Sequence, residues 1–334
     1  MTALYITDQR SYLDVQHQHF YIFQCHQLPC KVSATRVSHV LLFGNCHLSR
    51  RALNLAASYH IPVTYLCPNG CYLARLETAN TVKPEYRTRQ LEWAMEREFI
   101  KATAESMVWA KLHNCRTLLL QLNHYRQTPA IQNVLNAIAV LMERLPLAES
   151  PEVLRRYATK ATTLYFQALA SSLPKVFGFQ KRTKQPSTDP INSLLNLGYT
   201  LLIQALYTGV QAVGLEAHLG TWHPNRDCCP ALVADLMAEF SALLVDSLVV
   251  ELVRNQVFTP EDFMPPNSSG GVYLYPYALK LFLKYWEEKL QTPVTHLPTG
   301  YQVSYRQCLA LQIQDYLACL MGDVAFYRPM LWKL

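Results

Sequence analysis

Residues 231–258, ALVADLMAEFSALLVDSLVVELVRNQVF, repeat apolar side chains at helical spacing with a few acids set among them. Read as one long helix, the stretch sends the carboxylates of Asp235 and Glu239, four residues apart, from a single face. A lone histidine, His223, precedes it in Gly220-Thr221-Trp222-His223. An acid on an otherwise apolar helix faces solvent, pairs with a base, or carries chemistry. Two acids behind one histidine therefore make this stretch a candidate site.

Outward from it the same period recurs. From residue 86 the helix-period segments are 89–123, 130–145, 152–173, 191–215, 231–258, 277–290 and 303–321. Ser150-Pro151-Glu152 and Asp189-Pro190 set a side-chain acceptor before a first-turn proline, and Thr259-Pro260-Glu261 repeats the arrangement. Toward the N-terminus the pattern changes to short β-branched and aromatic runs: Leu4-Tyr5-Ile6-Thr7, Tyr12-Leu13-Asp14-Val15, Phe20-Tyr21-Ile22-Phe23, His39-Val40-Leu41-Leu42-Phe43 and Pro62-Val63-Thr64-Tyr65-Leu66. One helix, 48–59, lies among them, and Pro68-Asn69-Gly70 reads as a turn. The expected fold is α+β in two domains. A small β-rich domain covers 1–76, an unperiodic linker 77–85, and a larger all-α domain 86–334.

Half of the 334 residues are apolar and 16% are charged, which is a folded composition. Lys plus Arg exceed Asp plus Glu by 30 to 24, a net charge of +6 that permits a polyanionic partner without requiring one. The closest cysteine pairs, Cys25/Cys30, Cys67/Cys71 and Cys228/Cys229, do not repeat a zinc-binding spacing. Reduced thiols follow, and with no signal pattern and no apolar run of spanning length the expectation is a cytoplasmic chain without a membrane partner. Residues 178–187, GFQKRTKQPS, form a basic loop that either contacts phosphates or is simply solvated. Residues 265–271, PPNSSGG, lack the lysine and serine of a phosphate-binding loop.

Several stretches resemble the CRISPR-associated spacer integrases, the Cas-one family. The opening strands Leu4-Tyr5-Ile6-Thr7 and Tyr12-Leu13, the crossing Leu42-Phe43-Gly44-Asn45 into Leu48-Ser49, and Arg87-Thr88-Arg89-Gln90 are similar to that family's. Asp189-Pro190-Ile191-Asn192-Ser193-Leu194-Leu195-Asn196 with Tyr199 resembles its D-P-x-N-x-L-L-N-x-x-Y segment, the most specific of these likenesses. Residues 161–166 resemble the end of its G-x-E-G-x-A-A-x-x-Y-F helix, Gly220 to His223 its G-x-L-H, Asp235-Leu236-Met237 its D-L-M-E, and Tyr327-Arg328-Pro329 its Y-x-P.

The resemblance implies a DNA endonuclease and integrase that inserts spacers into a CRISPR array. It implies a homodimer built through the β-rich domain, double-stranded or branched DNA as substrate, and a small ferredoxin-like partner, Cas-two. It also implies Mg2+ or Mn2+ held by a glutamate, a histidine and an acid, because hard cations take oxygen ligands. Here the pattern departs at the chemistry. The family's ligand positions fall on Ala158, His223 and Ala238, so two of three ligands are methyl groups. Arg156, Thr159 and Ser241 depart from the motifs too, which points to sequence drift rather than a designed pair of alanines. Candidate metal ligands are then His223 and Asp235, with Glu239 as a shifted third, and no acid replaces the one at Ala158. A chain weakly active or inactive in catalysis is expected, with a non-catalytic scaffold or regulatory homologue as the alternative. Candidate DNA-binding residues are Arg155, Arg156, Lys160, Lys175, Lys181, Arg182 and Lys184; solvated charges on an exposed helix face are the competing reading. Trp93, Trp109, Trp222 and Trp286 read as core, Trp222 being the one to watch because it precedes His223.

Overall fold

A computed structural model describes residues 2–24, 28–77, 83–125, 127–224 and 230–333. Cys25, Cys228, Cys229 and residues 78–82 of the expected linker lie outside the described residues. The N-terminal elements run β1 (Thr2–Ile6), β2 (Tyr12–Gln16), β3 (His19–Phe23), β4 (Cys30–Ser33), β5 (Val37–Phe43), β6 (His47–Leu48), α1 (Arg50–Ser58), β7 (Val63–Leu66) and β8 (Tyr72–Leu76). They form two four-stranded sheets, ordered β1-β5-β7-β8 and β4-β3-β2-β6. The expected strands are present, with β4, β6 and β8 in addition.

Strand β5 joins the two halves of the molecule. Side chains alternate along a strand, so Val40 and Leu42 enter a small core with Ile6, Leu13 and Phe20. Leu41 and Phe43, on the opposite face, belong to the large core of the helical part. That double burial explains why the run is apolar throughout rather than alternating. Polar ties reinforce the contact: Tyr5 Oη donates to Glu287 at 2.7 Å, and Arg306 reaches the same carboxylate at 2.6 Å.

The helical part comprises α2 (Pro84–Trp93), α3 (Arg97–Asn123), α4 (Pro129–Glu143), α5 (Pro151–Ser172), α6 (Pro190–Val213), α7 (Ala231–Phe240), α8 (Ser247–Arg254), α9 (Pro276–Gln291) and α10 (Tyr305–Met321). Helix α3 packs against α4, α5 and α7, and α6 against α7 and α10. Three boundaries differ from the periodic reading. The segment from 89 breaks after Trp93, where Trp93 and Phe99 rings pack 4.9 Å apart across the corner; no Gly or Pro marks it. Before α10 a hairpin intervenes, β9 (Pro293–His296) with β10 (Tyr301–Ser304), and Ser304 with Gln307 forms a capping box that starts the helix two residues later than the period suggests. The long helix from 231 is interrupted by a wide π turn, Ser241–Asp246, in which the Ser247 N–H bonds to Ala242 O, five residues back. Among the described residues no helix is long and apolar enough to cross a membrane.

Candidate functional site

Helices α3, α5, α6 and α7, the π turn and the loop segments around residues 69–71, 182–187, 222–223 and 273 line a cleft of about 1010 Å3. The tight turn predicted at residues 68–70 closes one end. Gly70 adopts φ +85 there, and a Cβ on it would stand 2.6 Å from Leu197 Cδ1, so only glycine fits.

His223 is brought to the cleft by the loop before α7, and Asp235 holds that loop. Asp235 is fully buried, and its carboxylate accepts from the Thr221 N–H at 2.5 Å, the Thr221 hydroxyl at 3.0 Å and the His223 N–H at 2.9 Å. His223 Nδ1 lies 2.7 Å from the same carboxylate, which leaves Nε2 as the ring nitrogen not engaged by Asp235, on a residue that lines the cleft. Gly220 permits the arrangement: a Cβ there would lie 2.8 Å from both the Ala231 carbonyl carbon and Asp235 Oδ2.

Glu239, one turn on, points elsewhere. Its carboxylate accepts from Tyr327 Oη at 2.5 Å and the Met330 N–H at 2.6 Å, inside the packing between α7 and the C-terminal residues. Burial pushes its pKa up to about 8, against the pull of those donors. The shared face read from the i, i+4 spacing is therefore a buried face, and it presents no pair of carboxylates to the cleft.

Ala158 lines the cleft and is 2% exposed; Ala238 is 4% exposed and follows Met237, which lines it. Among the described residues no three His, Cys, Asp or Glu side chains gather where they could hold one metal ion. Magnesium and manganese favour carboxylate and other oxygen donors, and here Asp235 is committed to the loop while methyl groups stand at the other two positions. The donor set present does not fit a divalent ion.

The cleft floor carries an acid that the sequence reading passed over. Asp246, at the end of the π turn, is 1% exposed and accepts from Tyr165 Oη at 2.8 Å and from Tyr199 Oη. Burial raises its pKa to about 6, the tyrosine donors opposing the rise. Lys111 of α3 was likewise missed; it lines the cleft, with Nζ 5.5 Å from the Trp222 ring centroid. A lone acid in the run Leu243–Val250 was the available signal for Asp246.

The basic candidates separate into two groups. Arg155, Arg182 and Lys184 line the cleft, whereas Arg156, Lys160, Lys175 and Lys181 are exposed outside its lining. Arg155 donates to the Trp222 carbonyl at 2.7 Å and pairs with Glu152. The basic loop is built by the two asparagines of the 189–196 motif. Asn192 accepts from the Thr183 N–H at 2.8 Å and donates to Lys181 O at 2.9 Å; Asn196 accepts from Arg182 at 2.6 Å and donates to Lys184 O. Asp189 caps α6 by accepting from the Asn192 N–H at 2.9 Å, which fixes Asn192 in place. Arg182 also stacks on Tyr199 at 4.9 Å. The motif thus positions cations along one wall.

Comparison with known proteins places this architecture. The family model "CRISPR associated protein Cas1" matches residues 4–288. A Thermus thermophilus protein named CRISPR-associated endonuclease Cas1 3 is 32% identical over 293 residues, covering 88% of this chain and 85% of that one. Two solved structures share the fold, each at TM-score 0.87 over the whole chain: a Cas6-RT-Cas1–Cas2 complex, 22% identical with 36% of that chain covered, and a casposase bound to integration product, 18% identical with 95% covered. With the family model spanning most of its length, this chain belongs to the Cas1 family of CRISPR associated proteins.

Proposed function

We propose that the chain is a CRISPR adaptation protein that binds double-stranded or branched DNA through this cleft and performs metal-dependent strand cleavage or transfer weakly or not at all. One observation carries the reading: among the described residues the cleft lining holds four cations, Lys111, Arg155, Arg182 and Lys184, against a single acid, Asp246, with Ala158 among them. Such a balance attracts a polyanionic backbone, while the charges that would gather a divalent ion are missing. His223, kept in one orientation by Asp235, is the remaining ligand of the family's set.

Assembly follows from the same family. The likeness to a Cas6-RT-Cas1–Cas2 complex supports a small ferredoxin-like Cas2 partner, and the likeness to a casposase bound to integration product supports DNA integration as the chemistry of this fold. A homodimer through the β-rich part completes the proposal.

The deciding assay offers a branched DNA with a free 3′-hydroxyl to the full chain, with and without Mn2+. Binding without strand transfer is the expected result. Metal-dependent transfer that disappears in His223→Ala would overturn the inactive reading and make the chain a working integrase.

A further inference from the structure

Trp222 is anomalous within the cleft. Its side chain is 3% exposed, and its Nε1–H is buried without a hydrogen-bond partner among the described residues. A buried indole N–H ordinarily finds an acceptor. The residue belongs to the cleft lining, and its main-chain carbonyl is already taken by Arg155. The ring of this lining residue therefore carries a desolvated donor that no described residue accepts from.

Lys111 stands over this ring, 5.5 Å from its centroid. Burial is the main influence that draws its ammonium below the ordinary lysine range; Lys184 acts in the same direction, and Cys115 and Asp246 act against it. Lys111 and Lys184 line the same cleft, so their positive charges add there. Asp246 is the one acid among the described residues of the lining, and each of its oxygens already accepts from a tyrosine hydroxyl, Tyr165 on one and Tyr199 on the other.

We propose that Lys111 Nζ and the Trp222 Nε1–H form a seat for one backbone phosphate of DNA, held without a divalent metal, with Arg155, Arg182 and Lys184 flanking it. The proposal rests on the DNA-binding reading above and assigns to protein donors the charge neutralisation that a metal supplies where acids are present. A phosphodiester has two unesterified oxygens. One satisfies the orphaned indole N–H, and the other meets the lysine ammonium in a charge-assisted bond.

Two measurements on the full chain test it. Binding of fluorescent branched DNA is followed in EDTA across a salt series for the parent, Lys111→Met and Trp222→Phe; the first removes a charge at similar length, the second only the N–H. Affinity unaffected by EDTA or added Mn2+ is expected. Lys111→Met should weaken binding about tenfold and lower the log–log salt slope by roughly 0.7–0.9, the contribution of one phosphate. Trp222→Phe should weaken binding about tenfold to a hundredfold, as for one lost hydrogen bond to a charged group. Separately, inorganic phosphate is titrated while the Trp222 indole N–H resonance, assigned from the Trp222→Phe spectrum, is followed; a saturable shift absent in Lys111→Met is expected.

The outcomes separate the two ideas. DNA binding with parent-like affinity and slope in both variants, or with a strict Mn2+ requirement, overturns the seat and leaves the DNA-binding reading standing. A phosphate-induced shift without DNA binding supports the anion seat and overturns the DNA-binding reading. Neither shift nor DNA binding overturns both.

Discussion

His223 Nδ1 and Asp235 Oδ1 meet at 2.7 Å, and the same carboxylate also gathers the main-chain N–H groups of residues 221 and 223. Asp235 is thus a support of the loop that carries His223, reached from inside the protein rather than from the cleft.

Asp235→Ala leaves those buried donors without an acceptor. Loss of one partner from a buried charged network costs about 3–5 kcal/mol, so the urea midpoint should fall sharply, while His223→Ala, on the partly exposed side of the same bond, removes a single hydrogen bond to the carboxylate and should cost less, about 1.5–3 kcal/mol. Equal midpoints for the parent and Asp235→Ala would contradict the loop-holding role.

Gly220 packs its Cα against Ala231 and Asp235. Gly220→Ala must push the loop away from α7, at a cost of about 1–3 kcal/mol, typical of overpacking. Thermal unfolding measures it, and a crystal structure of the variant should show His223 displaced.

Glu239 gives the fold a pH dependence. Its ordinary value is 4.5 and burial raises it to about 8 in the folded chain. Between those values the folded state binds more protons than the unfolded state, so stability from this group is full below about pH 4.5 and is lost as pH rises toward 8. Asp246, raised to about 6, adds the same sign over the lower part of the window. Tm should fall as pH is taken from about 6 to 8, and Glu239→Gln should flatten that limb. A profile that keeps its slope in Glu239→Gln would refute the assignment.

Restoring acids at the two alanine positions should bring back a metal. In Ala158→Glu combined with Ala238→Glu, calorimetry is expected to detect Mn2+ binding that the parent lacks and that His223→Ala removes. Binding of equal strength in the parent would mean that its metal site lies elsewhere.

Asn192 ties the basic loop to α6 through Lys181 O, the Thr183 N–H and Arg182. Asn192→Ala should cost about 2–3 kcal/mol, leaving buried loop groups unpaired, and should weaken DNA binding without touching Lys111 or Trp222. Unchanged affinity would detach the loop from DNA recognition.

Much of this was legible in the sequence. Strand runs such as His39 to Phe43 and helix starts such as Asp189-Pro190 are local signals, set by side-chain alternation and capping, and the structure carries them where expected. The departures at Ala158 and Ala238 were also plain, because a motif fixes position by counting. What spacing could not convey was which side of a buried helix is core and which is cleft. Asp235 and Glu239 share an i, i+4 relation, yet one serves a loop and the other the C-terminal residues. Trp222 read as core and is indeed buried, but its nitrogen, unpartnered among the described residues, depends on what neighbouring segments fail to supply. Lys111 gave no sign because the Trp222 ring it stands over comes from a loop distant in sequence.

The π turn has a geometric consequence for this division. An α-helix advances 100° per residue, so the eleven residues from Asp235 to Asp246 would return the second acid to within about 20° of the first. A π turn accommodates one residue more than the α path, which swings Asp246 round by roughly a quarter of a circle. One acid is thereby dedicated to the histidine loop and the other to the tyrosines of the cleft floor. Removing a single residue between Ala242 and Val245 would set the acids about ten residues apart, so the segment could relax into an unbroken helix that still holds the two carboxylates roughly 80° apart. The spare residue acts as a phase shifter, letting one stretch of chain address two rooms of the protein.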